Sequence, residues 1–208
     1  MGAGSALRIT GGNLKGRIIQ VPPGIIRPAM DRMRESVFAV LGDLAGASFL
    51  DCFSGSGIIA LEAASRGASY IEAVETDPGK RKTLITNAAL SPVRIHCRLM
   101  AVELYIKRAQ RPFDYIFCDP PFNYHYKEKL LMSISESLLM NETSLLMIHR
   151  PKTEKIGKQN NNTLLSLKET RFYGNSAVDF FINKPIKPLA DNEAFRGKPR
   201  GICGSYII

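Results

Sequence analysis

The chain has only three histidines, His96, His125 and His149, scattered without paired spacing, so the imidazole clusters that hold catalytic or structural metals are missing. Its four cysteines, Cys52, Cys97, Cys118 and Cys203, show no C-x-x-C spacing, and three lie inside strand-like apolar runs. Buried thiols in a reducing compartment are the economical reading. No run approaches the roughly 20 apolar residues of a membrane span, and the N-terminus lacks the apolar centre of a signal peptide. Ala6 stands where a myristoylation signal needs Ser or Thr. The expectation is a cytoplasmic protein with no bound metal, with Met1 to Ser5 a disordered lead. There is no internal repeat, and the one low-complexity tract, Gln159-Asn160-Asn161-Asn162, reads as a loop.

What is there begins with size and charge. The 208 residues, 45% of them apolar, suit one well-buried domain. Lys and Arg number 28 against 19 Asp and Glu, a net charge of +9 that points to an acidic polymer or surface as partner. From Arg8 to Glu35, six bases (Arg8, Lys15, Arg17, Arg27, Arg32 and Arg34) face only two acids, Asp31 and Glu35. Leu7-Arg8-Ile9 and Lys15 to Val21 read as two short strands around Gly11-Gly12, a basic hairpin that suits a phosphate backbone and equally suits a charged edge that resists aggregation. Met33, Val37, Phe38, Val40 and Leu41 then form a helical stripe.

The chemistry gathers at two strand ends. Phe49 to Phe53 reads as a buried strand, Ser54-Gly55-Ser56-Gly57 as a tight turn, and Ile58 to Arg66 as a helix closed by Gly67. Glycines in such a turn let the backbone approach a ligand, and the helix start offers unpaired N–H groups. The loop is neither a P-loop nor a full G-x-G-x-x-G. Asp51 in the strand end repels a pyrophosphate and suits a cation, so a ligand with an amine and a sulfonium, such as S-adenosylmethionine, fits better. The next strand, Tyr70 to Val74, ends in Glu75-Thr76-Asp77. Glu75 stands about twenty positions after the glycines, where a nucleotide ribose is held in a doubly wound sheet. Asp77 reads as an N-cap before Pro78.

The second strand end is Tyr115 to Cys118, running into Asp119-Pro120-Pro121-Phe122. Two prolines stiffen the backbone and remove two donors, leaving carbonyl oxygens, one carboxylate and an aromatic face. That set suits a planar group bearing an amino function. Helix-like Pro78 to Leu90, strand-like Val93 to Leu99 and helix-like Val102 to Ala109 lie between, and the alternation implies parallel βαβ units with helices on both faces of a sheet.

Together these residues resemble the RsmD-type methyltransferases, which methylate the exocyclic N2 of a guanine in 16S ribosomal RNA. The similarity runs over about residues 7 to 184. It rests on Arg8-Ile9-Thr10-Gly11-Gly12 with Lys15-Gly16-Arg17, on Arg27-Pro28-Ala29-Met30-Asp31-Arg32-Met33-Arg34-Glu35, on Leu50 to Gly57, on Leu61-Glu62-Ala63 with Ser65-Arg66-Gly67-Ala68, on Glu75 with Asp77, and on Asp119 to Phe122. The basic segment is the narrowest of these signatures.

The resemblance implies an α/β, Rossmann-like fold: a seven-stranded, mostly parallel sheet with an antiparallel last strand, plus the N-terminal hairpin. Ser144 to His149 and Val178 to Asn183 suit the last two strands, with Leu164 to Lys168 as an extra one. The implied layout is a basic lead-in over 7–35 and the methyltransferase domain over 36–184, and a basic tail over 185–208 lies beyond the resemblance. Asp51, Phe53, Ser54, Gly55, Gly57, Glu75 and Thr76 would bind S-adenosylmethionine, with Asp51, Gly55 and Gly57 at its methionine end and Glu75 on its ribose. Asp119, Pro120, Pro121 and Phe122 would hold the target base, and Arg8, Lys15, Arg17, Arg27, Arg32 and Arg34 the RNA. The implied partner is 16S rRNA within a small-subunit assembly particle, met by a monomer. Two positions depart from the family pattern: Ala29-Met30 replaces a common Thr-Thr, and Leu99-Met100-Ala101 replaces the Asp or Asn usual near the adenine amino group. A DNA adenine-N6 methyltransferase and a non-catalytic RNA-binding module remain the competing readings.

Overall fold

A computed structural model describes residues 7–21, 29–156 and 164–184. Arg27, the asparagine-rich tract, the lead from Met1 to Ser5 and the tail from residue 185 onward lie outside the described residues. The element order is α1 (Ala29–Leu41), β1 (Ser48–Cys52), α2 (Ile58–Ser65), β2 (Tyr70–Val74), a 3-10 turn (Pro78–Lys80), α3 (Arg81–Ala88), β3 (Ile95–Arg98), α4 (Val102–Lys107), β4 (Tyr115–Cys118), α5 (Lys127–Ser135), β5 (Leu145–Pro151), β6 (Leu165–Tyr173) and β7 (Ser176–Asn183). The strands form one seven-stranded sheet ordered β3-β2-β1-β4-β5-β7-β6. β3 through β5 run parallel, and β7 enters antiparallel to both β5 and β6.

Alternation along the strands divides the core in two. Phe49 and Phe117 point into one cluster with Met33, Val37, Phe38 and Leu41 of α1 and the apolar residues of α2. Leu50, Cys52, Ile116 and Cys118 point into the other, with Val102 and Ile106 of α4 and Leu130, Leu131 and Ile134 of α5. Strands buried on both faces explain why β1 and β4 read as apolar runs and not as alternating patterns. Cys52 and Cys118 are register partners in adjacent strands and are fully buried, whereas Cys97 is half-buried. No helix among the described residues is long and apolar enough to cross a membrane.

The N-terminal segment is pinned to the sheet's helical layer. Its backbone makes a single antiparallel bridge, Arg8 with Ile18, supported by Ile9 N–H to Arg17 O at 3.0 Å and Gly16 N–H to Ile9 O at 2.8 Å. The C-terminal end of α2 receives it. Asn13 N–H donates to Ser65 O at 2.8 Å, Leu14 N–H to Ser65 Oγ at 2.8 Å, and Ser65 Oγ–H to Gly11 O at 2.6 Å. A Cβ at Gly12 would lie 1.8 Å from Ser65 O, so only glycine allows this approach. The fully buried Glu62 accepts from Thr10 N–H, Arg34 Nε and Arg66 Nη1.

Candidate active site

In a parallel sheet, ligands bind beyond the carboxyl ends of the strands, at the point where strand order reverses. Here that point lies between β1 and β4. The expected glycine loop and the expected proline loop leave these two strands, and Asp119 N–H donates to Cys52 O at 3.2 Å, so the two loops are neighbours.

The glycine loop is tightly shaped. Phe53 takes a left-handed conformation, φ 61°, an uncommon one for a bulky residue, and Gly55 and Gly57 follow at 57° and 81°. Ser54 N–H bonds to Val74 O at 3.0 Å, and Gly55 N–H bonds to Glu75 Oε2 at 2.7 Å. Glu75 Oε1 accepts from Asp77 N–H at 2.8 Å, and Asp77 caps the 3-10 turn through Gly79 N–H. One buried carboxylate thus sets the spacing between the glycine loop and the end of β2. Two of its roughly four lone-pair positions are taken, which leaves room for two hydroxyl donors. Thr76 beside it is exposed.

Asp51 is 1% exposed. Its Oδ2 accepts from Ser54 Oγ–H at 2.5 Å and from Ala60 N–H at 3.2 Å, while Oδ1 is buried with no partner. Burial pushes its carboxyl up to about 7; the charges of Asp119 and Glu75 add to the rise, and the Ser54 and Ala60 bonds oppose it. An orphaned buried acceptor of this kind fits an ammonium donor, and with the hydroxyl capacity of Glu75 the donor set suits S-adenosylmethionine.

The proline loop is held from three sides. Lys127, 2% exposed at the start of α5, donates to Phe122 O at 3.2 Å and Tyr124 O at 2.6 Å and pairs with Glu154 at 3.0 Å. Tyr124 O–H donates to Glu103 Oε1 at 2.6 Å, and its ring meets Phe53 edge-on at 5.4 Å. His149 Nδ1 lies 2.8 Å from Asp119 Oδ1, and its ring meets Phe122 at 5.4 Å. Phe122 remains 37% exposed beside Pro121, which is also exposed, whereas Pro120 is buried. Beyond β3, Leu99 is 39% exposed and Met100 packs partly against the second core, which makes an apolar wall there.

The basic residues divide. Arg8, Lys15, Arg17 and Arg32 are exposed. Arg34, expected among the RNA contacts, is fully buried: it pairs with Glu62 and Asp31 and donates to Arg8 O at 2.8 Å. Its charge is spent inside the protein, because it neutralises a carboxylate that sequence reading had left unassigned. His149 and Lys127 were missed as well. Their signal was a titratable residue inside an apolar run and a lysine at an amphipathic helix start, and neither stands out without the fold.

The family described as Conserved hypothetical protein 95 matches residues 7–182. Ribosomal RNA small subunit methyltransferase D of Escherichia coli K12 is 34% identical over 147 residues, covering 68% of this chain and 73% of that protein. The solved E. coli protein yhhF is 27% identical and superposes with a TM-score of 0.75 over 86% of this chain and 99% of that one. The same fold, at 18% identity and a TM-score of 0.59 over 76% of this chain and 50% of that one, occurs in SMU.776, solved in complex with SAH. With the glycine loop, the Glu75 clasp and the proline loop set around one strand-order reversal, these likenesses make the chain a member of the RsmD family of S-adenosylmethionine-dependent methyltransferases.

Proposed function

We propose that this enzyme methylates the exocyclic N2 of a guanine in small-subunit ribosomal RNA, acting as a cytoplasmic monomer on an assembling subunit. The observation that carries the reading is the Asp119–Phe122 loop, stiffened by two prolines and facing the glycine loop across β1 and β4. The name of the E. coli relative supports the RNA class.

S-adenosylmethionine, when bound, supplies a sulfonium methyl as the electrophile. Asp51 would take its ammonium and Glu75 its ribose hydroxyls, with Phe53, Ser54, Gly55, Gly57 and Thr76 around it and Leu99 and Met100 along the adenine. A guanine amine is a weak nucleophile because its lone pair is drawn into the ring. Acceptors at Asp119 and the Pro120 carbonyl hold its two protons and turn the lone pair outward, while Phe122 stacks on the base. Positioning of this kind supplies a large share of a rate enhancement. Arg8, Lys15, Arg17 and Arg32 are exposed and would grip phosphates, and Arg27 belongs with them by its place in the sequence.

The test is transfer of labelled methyl to unmodified small subunits, naked 16S rRNA and duplex DNA, each digested to nucleosides. The reading requires N2-methylguanosine from an RNA sample. N6-methyladenine from DNA, or no transfer to any of the three, overturns it. Near-normal turnover by Asp119→Asn would exclude a general-base role for that carboxylate.

A further inference from the structure

We infer that His149 is a positioning residue for methyl transfer, one that fixes the rotamer of Asp119 and leaves its second oxygen for the substrate amine. The inference rests on the proposed reading of the proline loop. His149 sits on β5, and the register that pairs Cys118 with Ile148 places it directly beside the residue that follows β4. Its Nδ1 is 2.8 Å from Asp119 Oδ1. An ionised carboxylate only accepts, so Nδ1 donates in this bond, which leaves Nε2 as the ring's other polar atom. That Nε2 is buried with no partner, a cost that a purely structural side chain at this place in the core would avoid. Asp119 itself is about a quarter exposed at its side chain, and among the described residues nothing bonds its Oδ2. The same imidazole touches Phe122, at 5.4 Å and 65° between rings, so one side chain abuts both the acceptor and the stacking face of the loop.

Two substitutions separate the bond from the ring. His149→Asn places an amide donor near the position of Nδ1 and removes the ring, and His149→Phe keeps the ring and removes the donor. With wild-type turnover on the accepted RNA as reference, the expected result is a loss of kcat of at least about tenfold for His149→Phe and less than about threefold for His149→Asn, since small misplacements of a reacting group cost up to about a hundredfold. KM for S-adenosylmethionine should stay unchanged in both. Thermal unfolding checks that each variant is folded, and His149→Ala, which lacks both features, should match His149→Phe and replaces it should that variant not fold. Full activity in Phe or Ala, or equal losses in Asn and Phe, overturns the inference and leaves the proposed function standing. A wild type that methylates no guanine overturns both.

Discussion

Asp51 offers the sharpest quantitative test of the cofactor site. Its folded carboxyl lies at about 7 against 3.8 when unperturbed, so cofactor-free protein at pH 5.5 carries it almost wholly protonated. An ammonium beside Oδ1 favours the ionised form, so binding of S-adenosylhomocysteine should expel that proton. The expected release is about one proton at pH 5.5 and about half a proton at pH 7, with affinity rising about 15-fold between the two. Calorimetry in two buffers of different ionisation enthalpy reads both quantities. Asp51→Asn should bind weakly, release no proton from this group and lose the pH slope. A companion effect appears in stability. Because the folded pKa is the higher one, the contribution of Asp51 is fully present below pH 3.8 and lost as pH rises through 7, up to about 4 kcal/mol. The cofactor-free Asn variant should therefore unfold at higher denaturant than wild type at pH 8 and nearly match it at pH 4. Wild-type binding that is independent of pH between 5.5 and 7, without proton release, would refute the assignment of Oδ1 to a cationic group.

Gly12→Ala drives a Cβ into Ser65 O at a left-handed residue, φ 74°, and should cost more than about 2 kcal/mol in denaturant unfolding. Glu62→Gln leaves the buried Arg34 without its full counter-charge, and equilibrium unfolding should register a loss of about 3–5 kcal/mol. Reversing the exposed Arg17 and Arg32 to Glu should weaken RNA binding and flatten its salt dependence, by a log–log slope change of about two to four, while S-adenosylhomocysteine affinity is unchanged.

The parts of this molecule legible in the sequence are those whose signal is local. The turn glycines, the Asp77–Pro78 cap and the Asp-Pro-Pro-Phe run declare their conformations within a few residues, and α2 ends as its Gly67 suggests, with Ala68 N–H bonded to Ala63 O and Gly67 N–H to Ala64 O. β1, β2 and β4 were legible because strands buried on both faces are mostly apolar, with Ser48, Asp51 and Glu72 the polar exceptions in β1 and β2. What the sequence hid depends on partners far away in the chain. Arg34 resembles its exposed neighbour Arg32 until Glu62, 28 positions on, is brought against it. His149 gains its meaning from a register between β4 and β5, and Lys127 from two carbonyls that the folded loop presents to it and from Glu154 beyond β5. Sequence analysis made no assignment for α5; only the structure shows that its first residue, Lys127, ties down the carbonyls of Phe122 and Tyr124.

α2 is eight residues long, about 12 Å from end to end. Its first turn closes the glycine loop and donates Ala60 N–H to Asp51; its last turn docks the basic N-terminal segment. The helix is therefore a gauge that sets how far the basic N-terminal segment stands from the glycine loop. One inserted residue would turn the docking end by about 100° and advance it 1.5 Å, taking Ser65 and Glu62 away from their partners. A change in length is thus better borne by the connecting loops than by α2, and a different segment grafted onto Ser65 and Glu62 would stand at the same distance from the glycine loop.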